Sequence, residues 1–269
     1  MTFLTAGPSP SIVSCAGHTS ANIPLLSDCR ILDVENKDWK VGTIGQLVTR
    51  GNTHSAAVTM PVGVYLIGGT KATRKTEVLL AGTTHWQKGP QIPLFMQAPC
   101  AVAISDESFL AIFKDNIIEF DTSAAGPTSN AGWKDLSTYP KLQKSRVSWP
   151  GCAKLGSKVI ISGGGYFDEY DNWRSRKSTE ILDLTDKTLS SGGDLVEPHR
   201  QFHILNLNNK LVAIGGVGNS GFESGNPSSI SVEEWDPLTS TWSKSSTGLG
   251  EERASFGAVV VPKDLICVP

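Results

Sequence analysis

The sequence predicts an all-β fold, a β-propeller built from four-stranded antiparallel blades. An apolar run that ends in glycines recurs as VYLIGG at 64–69, VIISGGG at 159–165 and LVAIGG at 211–216. No stretch keeps a 3.6-residue apolar period between helix caps, so we expect essentially no helix. Short strands separated by turn residues and repeated about every fifty residues are typical of propeller blades.

A tryptophan that stands after a turn recurs downstream of the apolar runs. Trp39, Trp86 and Trp133 are each 47 residues apart, and Trp242 follows the last glycine pair. Leu189 takes this position in the fourth copy. An indole offers a large apolar body and one N–H donor, so we expect the tryptophans to lie buried between blades.

Segments rich in small residues recur at the start of the repeats, although the fourth member, FHILN at 202–206, is bulkier. The others are HSAAV at 54–58, PCAVA at 99–103, PGCAK at 150–154 and FGAVV at 256–260. Blades pack radially, so the innermost strand of each is crowded and favours small side chains. We therefore expect these segments to form the innermost strands.

Taken together, these positions resemble the kelch repeat, in which a small-residue strand precedes an apolar strand ending in Gly-Gly, and a tryptophan follows. The glycine pairs that match are Gly68–Gly69, Gly163–Gly164 and Gly215–Gly216. The third copy departs from the pattern, with Phe113–Lys114 at that place. The resemblance implies a kelch-type propeller of the galactose-oxidase-like superfamily. It implies little about activity, because such propellers host unrelated functions.

The repeats predict one propeller over residues 1–269, with five blades. We place these at 11–48 plus 254–261, 49–95, 96–142, 146–198 and 199–247. ASFGAVVV at 254–261 is expected to pair with SIVSCAG at 11–17 and so complete the first blade, which removes open sheet edges. If the chain is a piece of a longer protein, a sixth blade is the alternative.

Composition limits the partners. Charged residues make up 19% of the chain and the formal net charge is −2, so no overall field attracts nucleic acid or an anionic membrane. No apolar run reaches the roughly 18 residues of a membrane span. The five cysteines are widely spaced without a CxxC motif, and we expect them to be reduced. These features, with no N-x-[ST] acceptor, favour an intracellular, cytoplasmic protein.

Arginines recur just before, or at, the first strand of four blades. They are Arg50, Arg146, Arg200 and Arg253. One interpretation is a basic rim that binds an acidic peptide, since a guanidinium pairs bidentately with a carboxylate. The alternative is structural: each arginine bonds to a neighbouring blade.

Residues 165–180, GYFDEYDNWRSRKSTE, form an unusually long connection, and VGNSGFESGNPSSIS at 217–231 is a second one, rich in Gly and Ser. The first contains Tyr166, Tyr170 and Trp173 beside Arg174, and aromatic residues with arginine are typical of recognition hot spots. The segment is interpreted as a protein-binding loop. The alternative is a solvated loop that covers a blade edge.

The usual catalytic motifs do not occur: the chain has no GxSxG, HExxH or Walker loop. We therefore expect no cofactor and no metal, and a non-catalytic propeller that binds other proteins as an adaptor or substrate-recognition module. The alternative is a propeller enzyme or a carbohydrate-binding propeller with a polar site at the mouth of the axis. A pocket with convergent acid and base groups would favour the alternative.

Overall fold

The structure is a computed structural model, and it describes residues 2–4, 11–17, 26–33, 36, 38–41, 44–48, 55–69, 73–218 and 231–261. Within these ranges the chain forms antiparallel sheets joined by turns. A single 3₁₀ turn at Asn130–Gly132 is the one helical element of the described residues. The all-β prediction is confirmed.

Five sheets follow one another along the chain, one for each predicted blade. The first contains β1 (Thr2–Leu4), β2 (Ser11–Gly17), β3 (Leu26–Asp33) and β4 (Asp38–Val41). The second contains β5 (Ala56–Met60), β6 (Gly63–Ile67), β7 (Thr76–Leu80) and β8 (Gln87–Lys88). The third has three strands, β9 (Cys100–Ala103), β10 (Ser108–Phe113) and β11 (Asn116–Asp121).

The last two sheets have four strands each. The fourth contains β12 (Gly151–Leu155), β13 (Lys158–Ser162), β16 (Thr179–Asp183) and β17 (Leu189–Gly192). A separate two-stranded hairpin, β14 (Gly165–Phe167) with β15 (Trp173–Ser175), interrupts it between its second and third strands. The fifth sheet contains β18 (His203–Leu207), β19 (Lys210–Ile214), β20 (Val232–Asp236) and β21 (Thr241–Lys244).

The chain divides into two compact units. The first comprises residues 1–109, 120–134 and 257–269, and the second comprises 110–119 and 135–256. The division passes through the third sheet. The second unit holds the whole fourth and fifth sheets, and with them the hairpin.

The edge of the first sheet differs from the prediction. β1 pairs with β2, with Phe3 opposite Ile12, whereas residues 254–261 contain no strand. The predicted pairing of 254–261 with the N-terminal strand is therefore not confirmed. Phe256 of this segment instead contacts the fifth sheet: its carbonyl oxygen lies 2.6 Å from His203 Nε2, and its ring packs edge-on against His203.

The expectation of reduced cysteines is wrong. Cys15 in β2 and Cys29 in β3 stand opposite each other in register and form a disulfide. Cys100 and Cys152 are also disulfide-bonded. The spacing of the cysteines in the sequence did not indicate this disulfide, because paired strands bring together residues that lie far apart in sequence.

The glycine pairs have the backbone role that the repeat indicates. Gly163 and Gly215 have φ values of 63° and 64°, a region that side chains other than glycine rarely adopt. A Cβ at Gly163 would lie 2.6 Å from the His199 carbonyl oxygen, and one at Gly215 would lie 2.6 Å from the Arg253 carbonyl oxygen. The pairs therefore let the following segment approach the strand end closely.

The core of the second unit lies between its fourth and fifth sheets. Trp235 and Trp242 are buried there and pack with the apolar residues of the second strands. The Trp242 Nε1 donates to Thr179 Oγ1 at 3.1 Å, which fixes the ring against the fourth sheet. The predicted structural role of this tryptophan position is thus seen directly, and Leu189 fills the same position while partly buried.

No helix among the described residues is long and apolar enough to cross a membrane.

Candidate functional site

The segment 165–180 begins as an ordered β-hairpin rather than an irregular loop. β14 and β15 pair with Tyr166 opposite Arg174 and Phe167 opposite Trp173. Directly opposite residues project to the same face of a hairpin. One face therefore carries Tyr166 and Arg174, and the other carries Phe167 and Trp173.

Asp168 holds the turn of the hairpin in one conformation. Its Oδ1 accepts the backbone N–H groups of Tyr170 at 3.0 Å and Asn172 at 2.8 Å. Its Oδ2 accepts from Arg174 Nε at 2.9 Å, so the carboxylate also ties the turn to β15. Burial opposes ionisation of Asp168, but these hydrogen bonds outweigh it and lower the pKa of the carboxyl group. The sequence-predicted Arg174 thus stabilises the hairpin.

The aromatic residues of the hairpin divide into two groups. Trp173 is partly buried and packs edge-on against both Trp149 and Phe167, with ring centres 6.0 Å and 4.8 Å away. Tyr170 at the turn is 77% exposed and Phe167 is 55% exposed. Trp173 therefore anchors the hairpin, while Tyr170 and Phe167 present apolar surface to solvent. The candidate binding residues predicted from the sequence included Tyr170 but not Phe167.

Arg146 lies in the interior of the second unit. Its side chain is 0% exposed, and Nη1 donates to Glu180 Oε2 at 2.5 Å and to the Lys144 carbonyl at 2.6 Å. Nη2 donates to the Ser178 carbonyl at 2.9 Å. Desolvation lowers the pKa of Arg146, and the charge of Glu180 opposes that shift. This geometry supports the structural interpretation of Arg146.

A buried glutamate occurs on the third strand of three blades and accepts a backbone N–H from the segment before the blade. The sequence prediction did not identify these glutamates. Glu180 accepts the backbone N–H of Gln143 at 2.6 Å, and Glu233 accepts that of Val196 at 2.7 Å. In the second blade Glu77 accepts the N–H of Val48 at 2.8 Å. Each carboxylate thus fastens the segment that leads into its own blade.

The fifth blade places a histidine where the fourth has its arginine. His199 Nε2 lies 3.2 Å from Glu233 Oε1, which matches the pairing of Arg146 with Glu180. Both His199 and Glu233 are buried. Arg200, which the sequence aligned with Arg146, is therefore the next residue along the chain and points elsewhere.

The remaining predicted arginines occupy different environments. Arg200 is buried, and its Nη1 donates to Ser175 Oγ at 2.5 Å and to the Gly218 carbonyl at 3.0 Å, which joins the fifth blade to the base of the hairpin. Arg253 is exposed and forms an ion pair with Glu251 at 2.6 Å. Arg50 lies outside the described residues. The described arginines therefore do not share one role.

Arg176 was not among the predicted site residues, although it directly follows β15. Its guanidinium carbon lies 3.9 Å from the centre of the Tyr166 ring. This stacking explains why Tyr166 is only partly exposed. No group of three or more His, Cys, Asp or Glu side chains within the described ranges could hold a metal ion.

Comparisons with known proteins agree with this architecture. A family model described as Kelch motif matches residues 198–247, which correspond to the fifth blade. No curated protein matches the chain. Among solved structures, that of the protein YjhT aligns over 87% of this chain and 81% of that chain, with a TM-score of 0.66 and 11% identity. At that identity the likeness shows the fold alone.

In total, 254 chains of solved structures match this one, so the fold by itself selects no activity. The sheet order, the glycine pairs and the motif in the fifth blade nevertheless agree with one another. The chain carries a kelch motif on a β-propeller fold of five antiparallel blades.

Proposed function

We propose that the chain is a non-catalytic propeller that binds another protein, and that the hairpin of β14 and β15 is its recognition surface. The observation that carries the proposal is the exposure of Phe167 and Tyr170 on an element whose turn and stem are fixed. Exposed aromatic side chains on a rigid element are typical of binding hot spots. The partner is a protein, and the proposed role is that of an adaptor or substrate-recognition module.

The construction of the hairpin favours binding energetically. Ordering a flexible loop on association costs free energy, and that cost is avoided where the loop is already fixed. Here Asp168 bonds the turn, and Trp173 fixes the stem against Trp149. The apolar surface of Phe167 and Tyr170 is thus presented in one arrangement before a partner arrives.

Affinity capture from the source cells tests this role. The double variant Phe167→Ala/Tyr170→Ala is compared with the parent and with Leu238→Ala, which removes a 94% exposed leucine from a turn of the fifth blade. A hot-spot aromatic contributes about 2 kcal/mol, so we expect the double variant to lose at least tenfold in partner affinity. Leu238→Ala should capture the same protein as the parent. Equal capture by all three proteins would contradict the proposal.

The location of the protein belongs to the same proposal. The sequence favours an intracellular chain, whereas the Cys15–Cys29 disulfide is of a kind that persists in oxidising compartments. Alkylating free thiols in the source cells before isolation, followed by mass spectrometry, distinguishes a reducing intracellular location from an oxidising compartment. Alkylated Cys15 and Cys29 would support the intracellular location, and a linked peptide pair would exclude a reducing cytosol.

A further inference from the structure

Arg176, the residue that follows β15, has no carboxylate within ion-pair distance among the described residues of the second unit. Arg146 is paired with Glu180, and Arg174 is paired with Asp168. Arg176 forms no ion pair and no side-chain hydrogen bond with any residue that the structure describes. Its Nε is buried and has no acceptor there. A partly buried cation in that condition is costly unless an anion compensates it.

The position of Arg176 is fixed, and only the more distant charges of Glu180 and Tyr166 oppose the effect of burial on its guanidinium. Its backbone N–H donates to the Gly164 carbonyl at 2.8 Å, and its carbonyl accepts from the His199 N–H at 3.2 Å. Tyr166 covers one face of the guanidinium at 3.9 Å. Stacking on an aromatic face leaves the N–H donors of a guanidinium in its plane, where they can meet a planar acceptor.

We propose that Arg176, stacked on Tyr166, binds a carboxylate of the partner protein, so that the recognised segment carries an aspartate or glutamate side chain. The proposal rests on the proposed function, since it places the contact beside Phe167 and Tyr170 on the same hairpin. Burial lowers the pKa of Arg176, which agrees with a desolvated charge. A nearby carboxylate reverses that penalty.

The site fits a carboxylate better than a phosphate. A carboxylate is planar and singly charged, and it matches the fork of one guanidinium in two parallel hydrogen bonds. Phosphate sites gather several cationic side chains or backbone N–H groups around one dianion. The neighbouring Arg174 is already committed to Asp168, so one guanidinium is available on this face of the hairpin.

A titration followed by nuclear magnetic resonance tests the site without the partner. The probe is the capped peptide Gly-Gly-Glu-Gly-Gly, and its twin has glutamine in place of glutamate. The signals observed are the Arg176 Nε–H, assigned by its loss in Arg176→Lys, and the ring of Tyr166. We expect saturable shifts of both signals with the glutamate peptide, and with acetate, in the millimolar range. The glutamine twin should leave them unmoved.

Two variants make the result specific. Arg176→Met should weaken the response of the Tyr166 ring at least tenfold. Lys187→Met, which removes an exposed positive charge elsewhere in the same unit, should leave the response unchanged. Equal shifts with both peptides, or the same response in Arg176→Met as in the parent, would overturn the proposal.

A carboxylate of the chain itself is the main competitor. Glu223 lies in residues 219–230, outside the described ranges. If Glu223→Gln shifts the Arg176 Nε–H signal and acetate leaves that signal unmoved in the parent, the acceptor is Glu223 and the proposal fails. If the titration fails while Phe167→Ala/Tyr170→Ala still loses its partner, the protein-binding role stands and only the acidic ligand is excluded.

Discussion

Replacing Arg146 with methionine tests whether this arginine stabilises the fold or belongs to a basic rim that binds a partner. Methionine keeps the unbranched stem but removes the charge, so the carboxylate of Glu180 stays buried without its counter-ion. It also removes the donors to the carbonyls of Lys144 and Ser178. Removing one partner of a buried ion pair costs about 3–5 kcal/mol, a large share of the roughly 5–15 kcal/mol of a typical domain.

Urea unfolding, followed by both circular dichroism and tryptophan fluorescence, measures this loss, and coincident transitions license the two-state treatment. The double variant Arg146→Met/Glu180→Gln completes a cycle, because glutamine still offers an oxygen to the Gln143 N–H. We expect the double variant to lose about 1–3 kcal/mol less stability than the sum of the losses in the two single variants. An Arg146→Met protein within about 0.5 kcal/mol of the parent would refute the structural assignment. Lost partner capture by such a protein would point to a binding rim.

Three further changes test other parts of the fold. Trp242→Ala should cost about 3–5 kcal/mol in urea unfolding, since it opens a cavity between two blades and removes a buried hydrogen bond; an unchanged midpoint would disprove that packing. Gly163→Ala should lower the melting temperature far more than Gly156→Ala, because both have positive φ but the added Cβ meets a carbonyl only at Gly163; equal losses would contradict the close-approach argument. Burial opposes ionisation of Glu233, but hydrogen bonds from His199 and two backbone N–H groups outweigh it and lower its pKa. The stability from this lowered pKa is present above about 4.3, the unfolded value, and is lost as pH falls through the folded pKa. Between pH ~7 and ~3 the melting temperature should therefore fall less steeply for Glu233→Gln than for the parent. An equal slope in both proteins would exclude this carboxyl group as a cause of the acid destabilisation.

The repeating features were predictable because they follow from local geometry. A glycine pair at the end of an apolar strand specifies positive φ at that point, as Gly163 and Gly215 show. The burial of Trp242 follows from its position after a turn. Both signals are contained in a few adjacent residues, so the fold class could be inferred from the sequence.

The partners across strands were not predictable in the same way. Glu180 meets Arg146 from 34 residues away, and the inserted hairpin lies between them. The alignment of Arg200 with Arg146 was displaced by one residue because His199, a different residue type, takes the arginine position. A search for one acidic residue at a fixed place in the third strand, in TEVLL, TEILD and VEEWD, would have found the carboxylates.

Details of the first sheet and of the hairpin also could not be predicted from the sequence. Three residues, Thr2–Leu4, are too few to signal a strand, and the Cys15–Cys29 pair depends on the register of β2 and β3. The segment 165–180 was identified by its aromatic and charged residues. Its division into an anchor, Trp173, and the exposed Tyr170 depends on packing that composition does not encode.

Photo-crosslinking from the tip of the hairpin tests most directly whether this hairpin is the recognition surface. Benzoylphenylalanine is incorporated in place of Tyr170, and, in a matched protein, in place of Leu238 of the fifth blade, which is also exposed. Irradiation in extract of the source cells should give a discrete protein adduct from position 170, diminished by Phe167→Ala and absent from position 238. An adduct from position 238 alone, or equal adducts from both positions, would contradict the assignment of the hairpin as the binding site.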